Sequence, residues 1–150
     1  MNIKNYTSTV PSDRSVSFIE HRLVSAGATH ISKVYEGEPL RLRGITFQIP
    51  INGIPLLFKL PAKTDAVFKV LYAEVRKPRP TTKQTIEEQA ERTSWKILAD
   101  WVDIQISMIK LEQAEFIEVF LPYSWDPNKN QTLFEKFKDG GFKQLMSSNK

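Results

Sequence analysis

Asp100 and Asp103 stand three residues apart in a helical pattern, which puts both carboxylates on one face. Such a pair can bind magnesium or divide the roles of general acid and base. The same spacing also serves simply to solvate a helix, and Lys96, four residues before Asp100, offers it an ion-pair partner. The two histidines, His21 and His30, have no second ligand at metal-binding spacing, and no His-Glu-x-x-His or calcium-loop pattern occurs. Gly27, Gly37, Gly44 and Gly53 are dispersed, each suited to a cap, turn or bulge, so no phosphate-cradling loop is present. A hydroxyl nucleophile would need a histidine base beside it, and no Gly-x-Ser-x-Gly elbow exists. With no cysteine there is no thiol nucleophile, disulfide or thiolate metal site. These patterns assign no catalytic residue, no metal and no cofactor, and weigh toward a non-enzymatic protein.

Two groups of residues remain. Arg92 stands three residues before Trp95 and Gln105 four after Trp101, and with Asp100 they form a candidate polar cluster beside an apolar helix face. Tryptophans usually serve packing, and a buried arginine needs a carboxylate or several carbonyls, so this cluster reads as structural. The second group is basic: Arg41, Arg43, Lys69, Arg76, Lys77, Arg79 and Lys83. Lysine and arginine contact phosphates without needing a fixed base sequence, which makes these seven the candidate nucleic-acid-binding residues. Few aromatics are interleaved with them, and no helix-turn-helix, zinc finger or ribonucleoprotein motif occurs.

The elements that must position these groups are legible from residue 12 onward. Ser12 or Ser15 is expected to cap a helix carrying Val16, Ile19 and Leu23, with Gly27 as the stop. His30 to Tyr35 reads as a strand. Ile45 to Leu60, split by Asn52-Gly53, reads as a hairpin with a two-residue type I′ turn. That turn pairs Ile51 with Ile54, Ile49 with Leu56, Phe47 with Phe58 and Ile45 with Leu60, all on one face. Leu40 and Leu42 have the opposite parity, which places a β-bulge at Arg43-Gly44 and leaves Arg41 on the outer face.

Thr64 or Asp65 is expected to cap a second helix with Val67, Phe68, Leu71, Tyr72 and Val75 inward. The prolines of Arg76-Lys77-Pro78-Arg79-Pro80 interrupt the pattern as an exposed loop. Thr85-Ile86-Glu87-Glu88 resembles a capping box opening a long helix. Two apolar rows follow: Ala90, Ile97, Trp101, Ile104, Met108 and Leu111, and beside it Trp95, Leu98, Val102, Ile106 and Ile109. On its polar strip, Glu88–Arg92 and Lys96–Asp100 pairs are expected. Glu115 to Leu121 reads as a short helix ended by Pro122, Trp125 to Asn128 as a turn, and Leu133 to Phe137 as a final helix stopped by Gly140-Gly141. Ser147 to Lys150 are expected to fray.

The fold class is α+β: one domain over 1–150, in the order α-β-β-β-α-α-α-α, with helices covering one face of an antiparallel meander and one long central helix. Met1 to Ser12 carry no apolar stretch of the signal-peptide kind, and no apolar run approaches the ~20 residues that span a bilayer. A cytoplasmic protein without membrane contact is expected. The formal net charge is +4. It is lopsided: thirteen Lys/Arg against six Asp/Glu up to Lys83, net +7, then eight against eleven, net −3. A basic half suggests a polyanionic or acidic partner.

Lys4-Asn5-Tyr6-Thr7, Phe58-Lys59-Leu60-Pro61-Ala62, Arg92-Thr93-Ser94-Trp95-Lys96, Asp100-Trp101-Val102, Gln105, Glu118-Val119-Phe120-Leu121-Pro122-Tyr123 and Thr132-Leu133-Phe134-Glu135 span nearly the whole chain. On these residues the chain resembles a family of small, functionally uncharacterised proteins encoded in phages and prophages. The resemblance supplies no catalytic residue. It implies a phage or mobile-element protein inside a bacterial cell, acting in DNA metabolism or on a host protein. The leading expectation is a basic surface that binds nucleic acid or a nucleoprotein complex. The alternative is a module that binds a host or phage protein, which an exposed apolar patch near Phe116, Phe120, Tyr123 and Trp125 would favour. A third reading, an enzyme, would need a deep pocket around Asp100, Asp103 and Arg92.

Overall fold

The computed structural model describes residues 3–77 and 79–146. The expectations for Ser147 to Lys150 and for Pro78 lie outside these residues. The hairpin consists of β2 (Arg41–Ile51) and β3 (Ile54–Pro61). Asn52 and Gly53 take φ of 52° and 78°, the left-handed pair that a type I′ turn requires. The register is the expected one, from Ile51 opposite Ile54 to Ile45 opposite Leu60. Of the eight side chains on this face, only Ile54, beside the turn, is exposed.

On the other side of β2, β1 (His30–Glu36) pairs antiparallel. Val34 faces Gly44 but Tyr35 faces Leu42, so Arg43 is the extra residue of a bulge. Gly44 sits at a close approach: a Cβ there would lie 3.2 Å from the Leu60 carbonyl oxygen, so a larger residue would press the two strands apart by a few tenths of an ångström. On the edge strand β1, Lys33 stands opposite Ile45 on the helix-covered face, exposed, with its ammonium 3.7 Å from Glu20. A charge on that face of an edge strand discourages pairing with another chain.

Helix α1 (Ser12–Ser25) buries Val16, Ile19 and Leu23. Neither Ser12 nor Ser15 caps it. Pro11 occupies that position, because its fixed φ lets its carbonyl accept from Arg14 at once, and Ser15 is buried one turn in. Helix α2 (Thr64–Ala73) likewise has Lys63 at its cap. Thr64 lies inside the first turn, where its hydroxyl meets that of Ser94 at 2.9 Å.

The long helix α3 (Pro80–Lys110) has 31 residues and is about 46 Å long. It starts five residues before Thr85, because proline is well suited to the first helical position, and the Arg79 N–H is met by the Thr82 hydroxyl at 3.2 Å. Thr85 is interior, its hydroxyl donating to the Thr81 carbonyl at 3.0 Å. Of the two apolar rows, the second is the core face: Trp95, Val102 and Ile106 are buried together with Ala99. In the first row Ile104 and Leu111 are exposed.

Helix α4 (Phe116–Phe120) passes into a 3-10 turn, Leu121–Tyr123, that contains Pro122 rather than ending at it. The stretch read as a turn after it is a small hairpin of β4 (Trp125–Asp126) and β5 (Gln131–Thr132). Helix α5 (Leu133–Asp139) follows, capped by the Thr132 hydroxyl accepting from the Glu135 N–H at 3.2 Å. The chain is thus α+β, with a three-stranded antiparallel sheet β1-β2-β3 and a two-stranded one. One cluster of buried side chains from α1, the sheet, α3 and α4 forms the core. Phe47 and Phe58 stack at 5.3 Å, and Phe116 and Phe120 at 4.3 Å, with Phe58 edge-on to Phe116 at 5.4 Å. Phe120 is fully buried, and Phe116, Tyr123 and Trp125 are half-buried, so this aromatic run belongs to the packing and not to an exposed patch. Among the described residues no helix is long and apolar enough to cross a membrane.

Candidate functional site

The seven candidate phosphate-binding cations separate into two groups. Arg76, Lys77 and Arg79 lie between α2 and α3, with Lys69 on the second half of α2 and Lys83 on the first turn of α3. All five are exposed, and among the described residues none is in an ion pair. Residues 69–83 hold these five cations and one carboxylate, Glu74, so this tip has a net charge of +4, equal to that of the whole chain. Everything else sums to zero.

Arg41 and Arg43 belong elsewhere. Arg41 does not lie free on the outer sheet face: its Nε is 3.7 Å from Oε1 of Glu91 on α3. Arg43 Nη1 is 3.5 Å from the same oxygen and also donates to the Leu42 carbonyl at 3.3 Å. The bulge directs Arg43 to that position, and the side chain is 22% exposed. Both arginines therefore share one carboxylate within the molecule, Arg43 through a hydrogen bond and Arg41 through charge alone.

They line a groove of about 1200 Å³ bounded by the β1–β2 turn, the end of β3, α2, α3 and the segment from Val119 to Glu135. Four cations face it, Arg41, Arg43, Lys59 and Lys63, against six carboxylates, Glu36, Glu38, Asp65, Glu87, Glu91 and Glu135. Lys59 neutralises Glu36 at 3.6 Å, and Glu91 serves both arginines. The sum is −2. Phe68, Trp101, Tyr123 and Phe134 supply aromatic surface, with Trp101 and Tyr123 edge-on at 5.6 Å. Sequence reasoning did not find this groove, because its members come from separate elements and only the fold brings them together.

The polar cluster on α3 also divides. Trp95 is core and Trp101 packs against Phe120 and Tyr123. Arg92 and Asp100 hold the N-terminal segment, and Gln105 takes no part in that network among the described residues. The Thr93 hydroxyl donates to the Asn5 carbonyl at 2.8 Å, and Arg92 Nε and Gln89 Nε2 both donate to the Ser8 carbonyl. Arg92 also reaches Gln89 at 2.6 Å in place of the expected Glu88. Asp100 accepts from Asn5 at 2.9 Å and from Lys96 at 2.8 Å, the latter as expected, with Lys4 at 3.7 Å. Burial pushes the Asp100 carboxyl up, but these hydrogen bonds and the charges of Lys96 and Lys4 outweigh it and hold the group below its ordinary value.

Asp103 points to a different partner, the Arg22 guanidinium of α1 at 3.1 Å. The two aspartates thus serve separate structural contacts, and neither lines the groove. His21 and His30 are exposed, on α1 and β1 respectively. Among the described residues no three His, Asp or Glu side chains converge as a metal-ligand set. No protein family, curated protein or solved structure matches this chain.

Proposed function

We propose that this protein is a non-enzymatic binding protein whose basic tip between α2 and α3 contacts the phosphate backbone of nucleic acid or of a nucleoprotein complex. The observation that carries the reading is the concentration of the chain's entire net charge in residues 69–83, on cations that are exposed and outside every ion pair among the described residues. Unpaired surface cations gain most from a polyanion, since each phosphate neutralised releases condensed counterions. Arg41 and Arg43 leave the candidate set on this reading, because both are drawn to Glu91 in a groove of net negative charge. Tyr72, the one aromatic of residues 69–83, is half-buried and stacked on Phe68 at 5.3 Å, so binding is chiefly to backbone and largely indifferent to base sequence. The resemblance to phage and prophage proteins supports reading it as an accessory to the DNA metabolism of a mobile element in a bacterial cell.

The test is a salt titration of binding to duplex DNA and to single-stranded RNA. Each phosphate contact with B-form DNA contributes about −0.9 to the slope of log K against log salt. Changing Arg76, Lys77 and Arg79 to alanine is expected to flatten that slope by roughly 2 to 3 and to weaken binding uniformly across sequences. Absence of binding at low salt, or equal affinity and slope in the triple variant, overturns the proposal.

A further inference from the structure

We infer that the groove between α2 and the Val119–Glu135 segment is a docking site for an extended, Arg- or Lys-bearing segment of a protein partner. This surface is distinct from the basic tip and complements it in sign. After its internal ion pairs are counted, Glu38, Asp65, Glu87 and Glu135 remain against Lys63 and the one positive charge left over between Arg41, Arg43 and Glu91. Glu38, Asp65 and Glu87 are exposed and in no ion pair among the described residues, so their charge is available to a ligand. A nucleic acid is repelled by this balance and a cationic segment is attracted.

The aromatic surface points to the same chemistry. Guanidinium and ammonium groups bind over the faces of Trp and Tyr as well as beside carboxylates, and the groove offers Trp101 and Tyr123 along with its acids. Its volume, about 1200 Å³, accommodates several residues of extended chain, more than a small cofactor needs. Recognition falls to side chains. The β3 edge is already bridged at Phe58 by Ser124, and Pro61, further along it, has no N–H to offer an added strand.

The experiment uses the full chain with fluorescein-labelled octa-arginine, octa-lysine and octa-glutamate as probes, read by fluorescence anisotropy. The two basic peptides bind and octa-glutamate does not. The variant E38Q/D65N/E87Q weakens octa-arginine binding about tenfold, while the control D13N/E88Q/E112Q, which changes three carboxylates outside the groove, leaves it within about twofold. In a parallel NMR titration the Trp101 indole N–H resonance shifts with octa-arginine. Equal loss in both carboxylate variants, tighter binding of octa-glutamate, or resonance shifts confined to residues outside the groove each overturn the assignment. A double-stranded DNA fragment that competes octa-arginine out of the groove by binding there overturns it as well.

Discussion

The Thr93 hydroxyl hydrogen lies on the Asn5 carbonyl oxygen, the two heavy atoms 2.8 Å apart and 88 residues apart in the chain. Thr93 is itself fully buried in α3. This bond, with those from Gln89 and Arg92 to Ser8, converts the N-terminal segment from a loose leader into part of the fold. Replacing Thr93 by valine keeps the volume and removes the donor, leaving a carbonyl without its partner. A loss of about 1–3 kcal/mol is expected, which for a chain of this size lowers Tm by several degrees. Thermal unfolding of T93V followed by circular dichroism measures it. A Tm equal to that of the parent protein would falsify the role assigned to this bond in holding the N-terminal segment.

Asp100 makes the same contact sensitive to acid. Its carboxyl is held below the ordinary value in the folded protein, so the unfolded chain binds more protons as pH falls. The stability it contributes is fully present above the unfolded value of about 3.9 and disappears as pH drops through the lower folded value. The stability gap between the parent protein and D100N is therefore expected to be constant near neutrality and to close below about pH 4. Urea unfolding of both proteins across that range checks the sign. A gap that widens toward low pH is incompatible with a depressed carboxyl.

How far the sequence foretold these contacts depended on whether a residue's role was local. Asn52-Gly53 settles the hairpin because a type I′ turn and strict alternation leave a single register, and the parity change at Arg43-Gly44 marks the bulge in the same local way. Helix starts were less legible. Ser12, Ser15, Thr64 and Thr85 are all plausible caps by residue type, yet the backbone starts earlier or next to proline. The Thr64 and Thr85 hydroxyls turn to Ser94 and the Thr81 carbonyl, and the Ser15 hydroxyl is buried without a partner among the described residues. Arg41, Arg43 and Glu91 show the limit from the other side. Nothing in their spacing tells that two strand arginines share one helix carboxylate, because that depends on where α3 crosses the sheet. The motif residues Lys4-Asn5 and Arg92 to Asp100, noted apart in the sequence, meet in the fold as a strap and its seat.

Thr64 and Ser94 join α2 to α3 through a single buried hydroxyl pair at 2.9 Å, and the Ser94 hydroxyl also donates to the Glu91 carbonyl at 3.1 Å. Thr64→Val leaves Ser94 its bond within the helix, whereas Ser94→Ala leaves Thr64 with a buried hydroxyl and no partner. The second change is expected to cost more, about 1–3 kcal/mol against about 1 or less for the first. Once Thr64 is valine, removing the Ser94 hydroxyl strands no group, so the double variant is expected to be more stable than the sum of the singles implies. Chemical denaturation of the four proteins measures the coupling. Strict additivity excludes a direct bond between them.

Arg43 and Arg41 contact one carboxylate from unequal environments: Arg43 is 22% exposed at the bulge and Arg41 is 50% exposed at the start of β2. An exposed ion pair contributes little because water and salt screen it, so R41A is expected to cost no more than about 0.5 kcal/mol. Arg43 is more shielded from water and also donates to the Leu42 carbonyl, so R43A is expected to cost about 1–2 kcal/mol. Neither guanidinium is free to meet a phosphate while Glu91 holds it. The double variant R41A/R43A is therefore expected to leave the slope of DNA affinity against salt unchanged, in contrast to the loss of about 0.9 per contact at the α2–α3 tip. Urea midpoints for the single variants and a salt titration for the double one separate the two roles. A flattened slope in R41A/R43A returns both arginines to the nucleic-acid surface and removes the division between tip and groove.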